Sequence, residues 1–337
     1  MTGQTSVSGQ VTLAHGSGGR ASRELLRTVI ESSFGHAVTQ HDSAVVAGSD
    51  SLAITTDTFV VSPRHFPGGD IGRLAVFGTV NDLAVAGADP RYLTCGLVLE
   101  EGLELSELAG ICSSMATAAA EAGVDIVAGD TKVVARGQAD GMYINTAGVG
   151  FVDDRVHLGF EEIRPGDVVL VSGDVGRHGA CVAGMRQDFG LSHDIHSDCA
   201  PLAQLCRVML EAGTVRYMRD ATRGGLGAVV TELALASGTR FQLVEDDIPV
   251  QGAVRAVCEL LGLSPLHLAC EGRLVAVVAE PDADAILAAM RSIDVGSGSC
   301  RIGVVREGDE PPVTLLTYLG VETVLSLPAG ELLPRIC

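Results

Sequence analysis

Basic side chains are scarce in this 337-residue sequence, 23 against 42 acidic ones, for a formal charge of -19. A surface so poor in cations excludes nonspecific binding to nucleic acid or to an anionic membrane, because both demand a surplus of positive charge. Apolar runs of about eighteen or more residues are missing, so no membrane-spanning helix is expected. The opening Met1-Thr2-Gly3-Gln4-Thr5 lacks the charged and apolar regions of a signal peptide, and the expectation is a soluble, cytoplasmic protein. C-x-x-C spacing is absent. The nine cysteines, odd in number and scattered, read as reduced thiols rather than a disulfide framework. The Walker A pattern G-x-x-x-x-G-K-[ST] is absent too, since the one lysine follows Thr131 and no glycine stands directly before it. Any ATP site must be of another design.

That lysine is the sharpest compositional feature. Of the basic residues Lys132 alone is lysine, and the rest are arginine. An ammonium is a compact point charge whose proton responds to its surroundings, so a lone lysine suggests chemistry that a guanidinium cannot replace. A structural ion pair is the plainer alternative.

What is present fits a compact mixed α/β protein: 47% apolar residues, 42 glycines and enough chain for about two domains. Apolar spacing predicts helices from Arg20 to about Ser33, from Asp70 to about Ala88, and from an N-cap at Ser106 to Glu121. Strands are predicted at Leu52 to Val61, Tyr92 to Leu99, Val124 to Ala128 and Met142 to Phe151. Arg164-Pro165-Gly166-Asp167 then opens a second unit with the strand Val168 to Val171, which places the boundary near residue 155. In that unit helices are expected at Gly179 to Gln187, Pro201 to Ala212, Gly225 to Ala236 and Val250 to Leu261. Strands are expected at Phe241 to Val244, Leu274 to Ala279 and Val313 to Leu316. The division is therefore 1–40, a glycine-rich leading segment; 41–155 and 156–325, two α/β domains; and 326–337, a tail.

Three glycine-rich segments each open a helix: His15-Gly16-Ser17-Gly18-Gly19, Gly68-Gly69-Asp70, and Asp220-Ala221-Thr222-Arg223-Gly224-Gly225. Unpaired amides at helix starts, with glycine allowing close approach, make phosphate cradles, although an ordinary turn explains each one singly. Asp57, Asp82 (next to Asn81) and Asp130 fall near strand ends or glycine turns, a setting that suits magnesium held by one or two carboxylates plus phosphate oxygens. A local cap or pair is the competing account of Asp82. The stretch from His193 to Cys199 imitates a metal cluster without zinc spacing and is expected to be a solvated loop. The tail carries prolines 328 and 334 and Gly330, so it should be a jointed arm reaching at most about 35 Å, with a thiol, Cys337, as its last residue.

Together HGSGGR, Thr56-Asp57-Thr58-Phe59-Val60-Val61, Pro67-Gly68-Gly69-Asp70-Ile71-Gly72, Asn81-Asp82-Leu83-Ala84, Ala128-Gly129-Asp130-Thr131-Lys132, Arg219-Asp220-Ala221-Thr222-Arg223-Gly224-Gly225 and Pro334-Arg335-Ile336-Cys337 closely resemble the hydrogenase maturation family HypE. The resemblance spans the whole chain. It implies a PurM-like two-domain fold, with the N-terminal domains of a homodimer forming a β-barrel and with a mobile tail. It implies an ATP- and Mg2+-dependent carbamoyl dehydratase acting on a group carried by its own Cys337, which leaves a thiocyanate. By the same resemblance the carbamoyltransferase HypF loads the thiol, and a HypC–HypD complex receives cyanide for a nickel-iron centre. Lys132 and Glu271 become a proton-handling pair, Asp57, Asp82 and Asp130 the metal carboxylates, and the three glycine segments with Asn81 the nucleotide site. One departure stands out: Cys270 occupies the place before Glu271 where the family usually has asparagine. Other readings are a selenophosphate synthetase-like enzyme, against which the absence of a cysteine in the first glycine loop counts, and a nucleotide-sensing assembly factor whose tail merely docks.

Overall fold

The computed structural model describes residues 8–16, 20–34, 46–186, 194–308, 310–326, 333 and 335–337. Ser17, Gly18 and Gly19 of the first glycine segment lie outside the described residues.

A helical stretch opens the N-terminal domain as α1 (Arg20–Leu25), a π-turn over Leu26–Glu31, and α2 (Ser32–Phe34). Then come β1 (Leu52–Phe59), the short pair β2 (His65–Phe66) and β3 (Gly69–Asp70), α3 (Ile71–Val85), β4 (Ala88–Glu100), α4 (Leu105–Ala122), β5 (Asp125–Val134) and β6 (Met142–Val152). The sheet order is β1-β6-β4-β5, with β4 and β5 parallel across the α4 connection and the other neighbours antiparallel. On β1 even-numbered side chains from 52 to 58 are exposed, while 53, 55 and 57 turn toward α3. The face away from α3 stays open, exposing Leu52, Ile54 and Val98.

Helix α3 is apolar nearly all round because it is covered all round, by the sheet, by α4 and by the second domain. It is shorter than its periodicity predicts. Gly87, at φ +80°, leaves the helical path, and Asp89-Pro90 lies inside β4 at a register shift between Pro90 and Tyr92. A bulge is where a strand accepts a residue that cannot donate. The third predicted helix starts at Leu105 after Glu104, not after Ser106, and ends at Gly123 in the left-handed conformation as its sequence requires.

The second domain contains β7 (Val168–Val171), α5 (Arg177–Met185), α6 (Ala203–Ala212), β8 (Val215–Asp220), α7 (Gly225–Ser237), β9 (Arg240–Val244), α8 (Gly252–Leu261), β10 (Leu274–Val278), α9 (Ala283–Arg291), β11 (Cys300–Arg306), β12 (Val313–Leu316) and β13 (Glu322–Val324). Its sheet runs β13-β12-β9-β11-β7-β10-β8. Strands β7 and β10 are buried along their whole length, which explains their unbroken aliphatic sequences. One face packs on α7, and the other packs on α6 and α9 together with Ala84 and Val85 from α3.

The domains are pinned through Asn81. Its Nδ2 donates to Ala200 O at 3.0 Å and Glu271 O at 3.3 Å, and its Oδ1 accepts from Leu202 N–H at 2.7 Å. Asp82, one residue on, is thereby delivered to the seam.

Candidate active site

Four carboxylates expected from sequence converge at that seam. The alternation on β1 turns Thr55 and Asp57 toward α3, where Thr55 Oγ1 donates to Asp82 Oδ2 at 2.9 Å. Asp220 ends β8, and Glu271 sits in the segment entering β10. Burial raises the pKa of all four, and each has carboxylate neighbours within electrostatic reach. Asp220 is pushed up to about 7, by burial first and then by Asp82, with Arg219 opposing. Glu271 is driven well above the ordinary carboxylate range, by burial and then by Asp220, Asp198, Asp57 and Asp82. Its Oε1 has no hydrogen-bond partner among the described residues. Countercharge comes from Arg219 beside Asp82 and Asp220, and from Arg223 beside Asp57. A cluster of two buried and two half-buried, mutually repelling carboxylates with an orphaned oxygen is a place poised for a cation and a polyanion together.

Backbone detail supports this at one glycine segment. Gly224 and Gly225 take φ values of +73° and +62° to turn the chain from β8 into α7, and Gly225 N–H donates to Thr222 O at 3.1 Å. A side chain at Gly225 would place its Cβ 2.5 Å from Leu268 O, so the turn presses against the segment that carries Glu271. The second glycine segment serves differently. Asp70 Oδ1 accepts from Arg73 N–H at 2.9 Å and caps α3, and Gly68, at φ +93°, lies against the backbone of Ser197. Asn81 spends its amide on the interdomain bonds. In the first segment His15 Nδ1 accepts from Thr12 N–H at 2.9 Å.

Lys132 and Asp130 are not brought to the seam. They pair with Val98 and Gly96 across β5 and β4, on the open face of the sheet and at the edge opposite β1, three strand spacings or about 14 Å away. There Lys132 Nζ lies 2.7 Å from Asp130 Oδ2, both side chains are about two-thirds exposed, and the lysine holds the Asp130 carboxyl below its ordinary range. Among the described residues no group of three His, Cys, Asp or Glu side chains is placed to hold a metal ion.

Cys270 is fully buried, and its Sγ accepts from Gly176 N–H at 3.1 Å. Burial pushes the thiol pKa well up, so this sulfur is a neutral acceptor rather than a second nucleophile. The 194–199 loop departs from its expected solvated state: Ile195, Ser197, Asp198 and Cys199 are buried, and Asp198 Oδ1 accepts from Glu271 N–H at 3.2 Å. Sequence reasoning missed Ser197 and Asp198. No local pattern marks them: 197, 198 and 199 are buried in succession, and their partners Pro67, His178 and Glu271 are distant in sequence.

The end of the chain is seated. Val60 N–H donates to Cys337 O at 3.0 Å, Ser62 N–H to Arg335 O at 3.3 Å, and Arg335 Nε to Val60 O at 2.9 Å. Leu333, Ile336 and Cys337 pack against the main core. Val60 is three residues beyond Asp57, about 10 Å along the chain. A separate cavity of about 770 Å³, lined by Asp89, Arg155, Arg207 and Arg216 among others, contains none of these residues.

Comparison with known proteins agrees with this architecture. Residues 40–152 match the model for the N-terminal domain of AIR synthase related proteins, and 164–315 match the C-terminal domain. The chain is 46% identical to carbamoyl dehydratase HypE of Escherichia coli over 97% of its own length and 99% of the relative's. It is 47% identical to the Bradyrhizobium diazoefficiens protein of the same name, over 98% and 96%. A crystal structure of the hydrogenase maturation protein HypE in complex with ATP superposes with a TM-score of 0.92 at 42% identity, covering 97% of this chain and 99% of that one. A HypE–HypF complex chain matches with a TM-score of 0.79 at 41% identity, over 82% and 90%.

Proposed function

The chain belongs to the HypE family of carbamoyl dehydratases, and from that premise we propose that it uses ATP to remove water from a carbamoyl group carried on its own Cys337, leaving a thiocyanate. The observation that carries this reading is the seating of Cys337 beside the strand that bears Asp57. A carbamoyl oxygen is a poor leaving group. Transfer of the γ-phosphoryl group to that oxygen turns it into phosphate, after which loss of phosphate and of the nitrogen protons leaves the carbon–nitrogen triple bond. ADP, inorganic phosphate and the S-bound nitrile are the products.

Each residue has a stated part. Glu271 takes protons from nitrogen: burial and the neighbouring carboxylates raise its pKa, and incoming positive charge lowers it again toward that of a base. The Thr222–Gly225 turn, Arg223 and the α7 start receive phosphate oxygens. The crowding of Asp57 against Asp82 fits Mg2+, which needs only one or two carboxylates beside phosphate oxygens. When bound, the ion neutralises charge on the transferring phosphoryl group. Asp220 tunes the same field.

Lys132 and Asp130 join the site through a second copy. β1 and β5 are the edges of the four-stranded sheet, with no further strand paired to either among the described residues, and its open face exposes Leu52, Ile54 and Val98. Pairing of two such sheets into a barrel in a homodimer removes the edges and carries one chain's β5 to the other chain's β1. A carbamoyltransferase of the HypF kind loads the sulfur, and a HypC–HypD iron scaffold accepts the cyanide. In this reading the protein works in the cytoplasm.

Mass analysis of the peptide ending in Cys337 tests the proposal. After incubation with carbamoyl phosphate and the transferase, one carbamoyl mass is expected on that sulfur, and loss of one water is expected only once ATP is added. Retention of activity in Cys337→Ala would refute the carrier role.

A further inference from the structure

The seated tail is held from both domains, and its second anchor is a histidine that the chemistry above leaves without a part. His178, in the first turn of α5, has no exposed surface. Its Nε2 lies 2.7 Å from the carbonyl oxygen of Ile336, and its Nδ1 lies 2.8 Å from Ser197 Oγ. The partners fix the tautomer. A carbonyl has no proton to give, so Nε2 carries the hydrogen and donates it, and Nδ1 accepts from the Ser197 hydroxyl. Ser197 is itself fixed: its N–H donates to Pro67 O at 2.7 Å, and its Oγ accepts from Cys199 N–H at 3.1 Å. Phe66 and the imidazole meet in a T-shaped contact with ring centroids 5.2 Å apart. With both nitrogens committed and the ring wedged, the donor direction is set before the tail arrives.

What it points at matters. Ile336 is the residue before the reacting cysteine, so a donor to its carbonyl fixes the last peptide plane on one side while Val60 N–H holds the Cys337 main-chain oxygen on the other. The loop that orients His178 continues directly into Asp198, whose carboxylate accepts from Glu271 N–H. One short segment thus touches both the tail's anchor and the residue that handles the nitrogen protons.

We propose that His178, oriented by Ser197, is a positioning residue that seats the Ile336 carbonyl and so places the Cys337 sulfur, with its cargo, at the phosphoryl donor. His178 touches neither the carbamoyl group nor the nucleotide. The inference rests on the carrier role of Cys337 given above, but the seat can be measured without it.

Two readouts on the full-length protein separate the possibilities. The first is the rate at which iodoacetamide alkylates Cys337 in the folded, nucleotide-free protein, read on the C-terminal peptide. The second is single-turnover dehydration of protein already carbamoylated by the transferase. His178→Leu should raise the alkylation rate and lower the dehydration rate, each by about tenfold, the worth of one neutral hydrogen bond, with loading by the transferase undiminished. His178→Gln, whose amide can donate to the same carbonyl, should restore both readouts to within about threefold of the parent. If His178→Leu does not fold, Ser197→Ala takes its place, and a rise in alkylation of a few-fold is expected. Unchanged alkylation in a folded His178→Leu overturns the proposal. Equal damage by Leu and Gln overturns it as well, because the ring's bulk would then be what counts. Faster alkylation in a protein whose parent never dehydrates a carbamoyl group supports the seat and refutes the carrier chemistry.

Discussion

At Asp220 the folded chain works against its own stability. The carboxyl titrates near 3.8 when unfolded and near 7 when buried beside Asp82 and Asp57, with Arg219 as partial relief. Between those pH values the folded protein holds a proton that the unfolded chain has released, so stability falls as pH rises from about 4 to about 7 and is level above. Asp220→Asn removes this effect. In nucleotide-free protein it should gain up to about 4 kcal/mol at pH 8 over the parent, and almost nothing near pH 4; urea unfolding at the two pH values measures the difference. An equal gain at both would show that ionisation of the buried carboxyl is not the cause. Glu271→Gln should likewise keep ATP binding and carbamoyl loading while losing dehydration. Cys270 is a milder case. Its sulfur accepts one backbone hydrogen bond, from Gly176 N–H, and asparagine offers an amide oxygen for the same bond, so Cys270→Asn should change stability by no more than about 1 kcal/mol in chemical denaturation.

Among the elements, those whose pattern matched a single environment were readable from sequence. Strand β7 is aliphatic throughout because both its faces are covered, and α4 announces its end with a glycine in the left-handed conformation. Strands β8 and β11 and helix α9 escaped prediction. Val215-Arg216-Tyr217-Met218-Arg219-Asp220 mixes charged with apolar residues because its far end belongs to the site and not to the core alone, and Gly303 interrupts Cys300–Arg306 at a register shift. The buried 194–199 loop was misread because polar residues there are satisfied by distant partners that no local window contains. Gly68 shows the dependence. A Cβ there would lie 2.8 Å from Ser197 O at a φ of +93°, so Gly68→Ala should cost about 1–3 kcal/mol and displace the loop that orients His178. Faster alkylation of Cys337 in that variant, alongside a lowered melting temperature, is the expected signature. The tail itself, read from sequence as a jointed arm, proves to have a defined seat for its last three residues.

For the molecule as a whole, the puzzle is a candidate site at a domain seam while the one lysine sits on a distant sheet edge. The α/β fold with its N- and C-terminal domains was legible in the sequence, and short motifs singled out the segments of Asp57, Asp82 and Asp220, but not their meeting at a seam. The separation of Lys132 from Glu271 was not legible, because no motif records which edge of a sheet a strand occupies. Supply of Lys132 by a partner copy makes a clear prediction. Lys132→Ala and Glu271→Gln should each be inactive alone, yet co-folded mixtures should recover about a quarter of parental activity, since half the dimers are mixed and each of those holds one intact site. No recovery would place Lys132 in its own chain's site or outside the chemistry. Ile54→Glu, which puts a charge on the open sheet face, should shift the protein toward monomer in light scattering and reduce dehydration in step.

The central claim is that the phosphoryl group of ATP leaves with the oxygen of the sulfur-bound carbamoyl group. Oxygen-18 in that carbamoyl group therefore decides the matter in one turnover: label recovered in inorganic phosphate is the predicted result, and label recovered in bulk water, with unlabelled phosphate, would contradict the account.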